Sequence, residues 1–223
     1  VLENALDQQT LSAAEKHLNH GKTADDWVRI VYGSGTNTHN VDFAEAADAL
    51  LDVMGEFPQV KLRLVGLLEL PQEFKQFKSR IERIKFCEYD QYLGYLSECD
   101  ISIAPLENYV FNEAKSNIKF LEASIVKVPS VCSPRSAFTS VIVDGENALL
   151  AETSADWKQA LSSLVESTEL RKSLAESAYE TVLSQYKPVN IARAQLAPLL
   201  KISPAKKPAK KILSVNIYYS PDS

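Results

Sequence analysis

Apolar residues recur along this chain in two alternating rhythms. Short, β-branched runs suited to buried strands stand at Val28–Ser34 (VRIVYGS), Lys61–Gly66 (KLRLVG), Arg83–Tyr89 (RIKFCEY), Asp100–Leu106 (DISIAPL) and Val128–Ser133 (VPSVCS). Between them apolar positions fall at helical spacing. Phe43, Ala46, Ala47, Leu50, Leu51 and Met54 follow an Asp42/Glu45 pair that reads as a capped helix start. Leu93 and Leu96 follow Asp90, a second cap candidate, and Cys99 ends that helix. Pro71–Ile81 is charged and reads as helical or irregular, and DGENALL (Asp144–Leu150) as a turn into a short strand. Two helices, around Trp157–Val165 and Leu170–Leu183, close the unit. Continuous apolar strands alternating with amphipathic helices predict a parallel sheet covered on both faces, a Rossmann-like, doubly wound α/β domain.

The ends differ from this middle. Val1–Asn4 reads as the tail of a strand or crossover entering a domain that spans 1–200, and a start without methionine suggests a piece of something longer. Residues 201–211 have the Pro/Lys composition of a linker. Their lysines serve first as a solubilising charge and second as a contact for acidic lipid, which would bring the parent protein to a membrane surface. Residues 212–223 (ILSVNIYYSPDS) read as the truncated first strand of a following domain, since a lone apolar strand cannot bury itself.

Composition narrows the class. The chain has 223 residues, 45% hydrophobic and 24% charged, which suits one large domain with an adequate core. A net charge of −5 argues against a nucleic-acid partner. Cys87, Cys99 and Cys132 are too few and too scattered for a disulfide framework or a zinc site, which points to packing roles in a reducing, cytoplasmic setting. No apolar run approaches the roughly 20 residues of a membrane span.

Candidate chemistry gathers at FNEAKSNIKFLEASIVKVP (Phe111–Pro129). Ser116 is the expected N-cap, and Ile118, Leu121 and Ile125 should face the core. Lys119 and Glu122, three apart, share another face, and Lys115 precedes the cap. The unpaired amides of a helix start carry about half a positive charge, so the amides of Ser116, Asn117 and Ile118 with Lys115 and Lys119 suit a diphosphate. Glu122 could then accept from a ribose diol. The alternative is an ordinary solvated Lys–Glu face. The preceding strand favours the first reading, because ligands of open α/β sheets bind outside the carboxyl ends of the strands. At the first strand's end, GSGTNTHNVDF (Gly33–Phe43) adds Gly33 and Gly35 for close backbone approach, and Ser34, Thr36, Thr38 and His39 as donors. Thr38 stands where a dinucleotide fingerprint needs its third glycine, so this loop could equally be a plain βα turn. His39 reads as a cap or hydrogen-bonding residue more than a catalyst, and His17 and His20 lie in a polar helix. No carboxylate pair is arranged for a metal, and no catalytic residue is identifiable.

Strand–GSGTNTH–helix, KLRLVG, RIKFCEY, DISIAPL, FNEAKSNIKFLEASIVKVPSV and IVDGENALL, in that order, resemble the C-terminal domain of a GT-B glycosyltransferase of the retaining group 1 (GT4-like) family. The likeness is to members from bacterial surface-polysaccharide clusters and covers roughly Val28 to Tyr186. It implies a domain that holds a nucleotide-sugar donor, while a separate N-terminal domain holds a glycan or lipid-linked acceptor. It also implies that Glu122 binds the donor ribose, that the amides of Ser116, Asn117 and Ile118 bind phosphate, and that the Ile84–Tyr89 segment meets the base. The family's first motif glutamate, a contact of the transferred sugar, falls on Ala114, with Glu113 one place away. The arginine and lysine that many relatives carry after the first strand are also absent, and Lys115 and Lys119 would supply their charge. ILSVNIYYSPDS is similar to the opening strand of another such enzyme's N-terminal domain.

The expected function is donor binding for a retaining sugar transfer at the cytoplasmic side of a membrane, with no cofactor beyond the donor substrate. A fragment lacking the acceptor domain would be inert by itself. The competing expectation is a non-catalytic Rossmann-like module that organises a multi-domain protein.

Overall fold

A computed structural model describes residues 5–18, 25–34, 39–109, 112 and 115–193, with the backbone alone for 39 and 40. The expectations for Val1–Asn4, the linker and the terminal strand lie outside the described residues, as do Gly35, Thr36, Thr38, His20, Glu113 and Ala114.

Six strands form one parallel sheet in the order β3-β2-β1-β4-β5-β6. β1 (Val28–Ser34) has the predicted bounds, and β2 (Val60–Gly66) and β4 (Ile101–Ala104) lie where the apolar runs place them. β5 (Ser130–Cys132) and β6 (Leu149–Leu150) complete the far edge. β3 is Ile81–Ile84, earlier than the Arg83–Tyr89 expectation: Phe86 is 76% exposed, and the chain has already left the sheet there. β1 pairs with both β2 and β4, and the order reverses at β1/β4, opening a crevice beyond the carboxyl ends of those two strands.

Side chains alternate across the strands and divide the core in two. Ile30, Tyr32, Leu62, Leu64, Ile101 and Ile103 pack under α2 (His39–Glu56) and α6 (Ser154–Glu166). Val31, Val65, Ala104 and Cys132 face the opposite way, towards α1 (Gln8–Leu18), α3 (Tyr89–Ser97), α4 (Ile118–Ile125) and α7 (Thr168–Gln185). Two four-residue helices, α5 (Ser136–Thr139) and α8 (Pro188–Ile191), and a 3-10 segment at Gln72–Arg80 fill the connections. Cys99 and Cys132 are buried and all three cysteines are unpaired, in keeping with packing.

Helix starts differ from expectation. α2 begins at His39, which puts Asp42 inside the first turn rather than at the cap. α3 begins at Tyr89, so Asp90 also lies in a first turn, where it pairs with Lys16 at 3.3 Å. α6 has a capping box between Thr153 and Asp156. Among the described residues no helix is long and apolar enough to cross a membrane.

Candidate functional site

The crevice at the β1/β4 reversal brings together the two segments singled out by sequence. α4 starts at Ile118, with Asn117 rather than Ser116 at the cap position. Neither side chain caps it: Ser116 is exposed, and Asn117 Nδ2 donates to Tyr186 Oη at 2.7 Å. The Asn117 carbonyl accepts from Phe120 and Leu121, whereas the amides of Ser116, Asn117, Ile118 and Lys119 have no acceptor among the described residues. A helix start with open N–H groups at a sheet switch point is the backbone part of an anion site. Leu121 and Ile125 are buried as expected, while Ile118 is only half-buried and Phe120 takes the deeper place.

Lys119 does not lie on a solvated face. Its ammonium stands 4.3 Å from the centre of the Tyr32 ring and donates to the Gly33 carbonyl at the end of β1. Burial lowers its pKa to about 8, with Glu122 and Asp42 opposing that shift. Glu122, expected with Lys119 on a face away from the core, is instead only 9% exposed. Burial raises it to about 7, offset by the Lys119 charge and by the hydroxyls of Tyr92 and Tyr89 that face it. Those tyrosines come from α3; although Tyr89 is 41% exposed as a residue, burial at its phenol and the nearby Glu122 raise its pKa, as they do for Tyr92.

Lys115 is already paired. Its Nζ donates to Asp42 Oδ2 at 2.7 Å, and Asp42 is 2% exposed. Asp42 Oδ1 also accepts from the Glu107 amide at 3.2 Å and from Asn112 Nδ2 at 3.1 Å. Asp42 therefore ties α2 to the loop after β4, a role the sequence reading missed because its partners lie 65 to 73 positions away. The available signal was a carboxylate in the first turn after β1 with Lys115 in the loop that follows β4.

The first-strand residues serve packing more than reception. Gly33 is required by a protein neighbour, since a Cβ there would stand 2.8 Å from Tyr92 Oη. Ser34 donates to the Leu67 carbonyl at 2.5 Å, which turns this hydroxyl towards β2. His39 is the first residue of α2. The Ile84–Tyr89 segment runs from the end of β3 to α3, with Phe86 and Tyr89 exposed on the same edge as the crevice.

A family model described as glycosyl transferase-like matches residues 43–197. No curated protein matches the chain. Solved structures share its fold. The C-terminal domain of LpcC from Francisella tularensis, a glycosyl transferase group 1 protein, superposes with a TM-score of 0.56 at 19% identity, covering 84% of this chain and 97% of that one. Anabaena HepE in complex with UDP gives 0.66 at 16% identity, covering 88% and 54%. TarM of S. aureus, in a complex that includes UDP, gives 0.63 at 15% identity, covering 79% and 36%. The chain thus spans nearly all of the isolated LpcC domain and about half or less of HepE and TarM.

Proposed function

We propose that this chain, which belongs to the glycosyl transferase-like family, is the donor-binding half of a GT-B sugar transferase. Its Rossmann-like domain would hold a nucleoside diphosphate sugar in the β1/β4 crevice. A second domain would present a glycan or lipid-linked acceptor at the cytoplasmic face of a membrane. The observation that carries this reading is the open α4 start, where four consecutive amides without acceptors among the described residues meet the Lys119 ammonium. HepE and TarM, which share the fold, were solved with UDP bound.

The chemistry follows from charge. As the glycosidic bond to the donor breaks, negative charge grows on the departing diphosphate. Preorganised amides and a desolvated ammonium stabilise that charge without waiting for solvent to reorient. Lys119 fits this task better than Lys115, whose charge Asp42 already balances. Lys115 and Asp42 hold the loop, and Lys119 meets the phosphate. Glu122, buried behind Lys119 and faced by two phenols, accepts from the ribose diol when the Tyr89 hydroxyl yields. Transfer with retention of anomeric configuration completes the reading by family likeness.

Calorimetry with UDP, GDP, ADP, TDP and CDP in the presence of a chelator tests it. Binding of at least one diphosphate without metal is expected. Silence across the panel contradicts donor binding, and binding that needs magnesium contradicts the protein-cation mechanism.

A further inference from the structure

The sugar of such a donor is bonded to its terminal phosphate, so it must lie within one hexose of the α4 amides and Lys119. Asp42 fixes what stands on that side. By taking Lys115 on one oxygen and the Glu107 amide on the other, it places Glu107 beside the cradle at the end of β4. Glu45 follows Asp42 by three residues on the same face of α2. Its pKa is raised by burial and by the carboxylates of Glu107, Glu152 and Asp42, against the pull of Arg135. Glu45 and Glu107 are both half-buried, and neither carboxylate has a hydrogen-bond or ion-pair partner among the described residues.

Arg135 supplies a second, independent sign. It is 4% exposed, and donates from Nε to the Leu106 carbonyl at 3.2 Å and from Nη1 to Glu152 at 2.7 Å. Its Nη2 is buried and has no acceptor among the described residues. A buried donor left open beside two unpaired carboxylates is an incomplete polar network. Among the described residues no three acidic, histidine or cysteine side chains converge to hold a metal ion, which leaves hydroxyl groups as the fitting ligand. Lys115 balances Asp42 and Arg135 balances Glu152, so Glu45 and Glu107 leave this patch negative.

We propose that Glu107 and Glu45 accept hydrogen bonds from the hydroxyls of the transferred sugar and restrict the donor to a neutral sugar, excluding uronates. Arg135 is a positioning residue, holding the Leu106 carbonyl one bond before Glu107. The inference rests on the donor-binding reading and gives that reading a substrate class.

Calorimetry on the 223-residue chain compares UDP, UDP-glucose and UDP-glucuronate, and in parallel GDP, GDP-mannose and GDP-mannuronate. The proteins are wild type, Glu107→Gln and Glu45→Gln, each checked by thermal melt. In the series that binds, the neutral conjugate should bind about tenfold more tightly than the uronate, the scale of one charged contact. Glu107→Gln should reduce that gap to about twofold, with the parent diphosphate unaffected. Equal affinity for neutral and uronate conjugates overturns the assignment while leaving nucleotide binding intact. So do variants that weaken the parent diphosphate and its conjugates alike. Failure of all five nucleoside diphosphates to bind overturns the donor reading and this inference together.

Discussion

Lys119 stands over the ring of Tyr32, its ammonium 4.3 Å from the ring centre, where α4 meets the end of β1. A cation on an aromatic face, with a backbone carbonyl as its acceptor, keeps its charge in a place where water would otherwise hold it. A diphosphate arriving there replaces weak partners by a strong one. Replacing Lys119 by Met should therefore weaken binding of the diphosphate identified in the panel by about 1–3 kcal/mol. Stability should stay level or rise slightly, because the folded state no longer shelters a charge that burial disfavours. Calorimetry and a chemical denaturation series measure the two effects.

The same lysine predicts a pH dependence. Its pKa of about 8 in the free protein must rise when an anion binds, so binding takes up a proton. Affinity should fall as pH rises from about 8 towards 10, by up to about tenfold per unit, and Lys119→Met should remove that slope. Calorimetry in two buffers of different ionisation enthalpy at pH 8.5, chosen about half a unit above that pKa, reads the proton directly.

Glu122 predicts a pH dependence of stability. Its folded pKa of about 7 exceeds its ordinary 4.5, so the folded state binds more protons between those values. Stability contributed by this group is full below about 4.5 and is lost as pH rises through 7. Glu122→Gln should melt increasingly above wild type as pH goes from 5 to 8, over about that interval, and equal melting curves at every pH would contradict the burial.

The architecture was legible because burial on both faces leaves continuous apolar runs, which is why β1 kept its predicted bounds, β2 began one residue before its run, and β4 and β5 stayed within theirs. What the pattern could not tell was who covers whom. Helical period put Lys119 and Glu122 on one face of α4, but the phenols that roof that face come from α3, and Tyr32 lies beneath it from β1. The cap expectations at Ser116, Asp42 and Asp90 erred for two reasons. Each side chain suits a cap locally, yet Asp42 and Asp90 take lysine partners far along the chain. The amides left open at α4 fit an anion better than a cap.

Asp42 is the joint that holds the crevice together. Asp42→Ala leaves Lys115 and the Glu107 amide without their acceptor and removes one of the two acceptors of Asn112 Nδ2, at a site 2% exposed. The expected loss is about 3–5 kcal/mol in a denaturant series, the range for removing one partner of a buried ion pair. A loss below about 1 kcal/mol would mean that water or another carboxylate replaces it.

Gly66 tests the β1/β2 end independently of any ligand. Its φ is +100°, and a Cβ there would stand 1.7 Å from the Ser34 carbonyl oxygen, a backbone atom that cannot rotate away. Gly66→Ala should cost more than about 3 kcal/mol and alter the strand end that carries Gly33. A variant with unchanged denaturation would show that this turn rearranges freely.

Donor binding at the start of α4 is tested most directly by following backbone amide resonances during titration with the nucleoside diphosphate that binds. The amides of Ser116, Asn117, Ile118 and Lys119 should move most and together, shifting downfield as they donate to phosphate oxygens, and the parent nucleoside alone should leave them in place. Shifts that spare these four amides, or that gather instead at the α1 and α7 surface on the far side of α4, would contradict a phosphate site in the β1/β4 crevice.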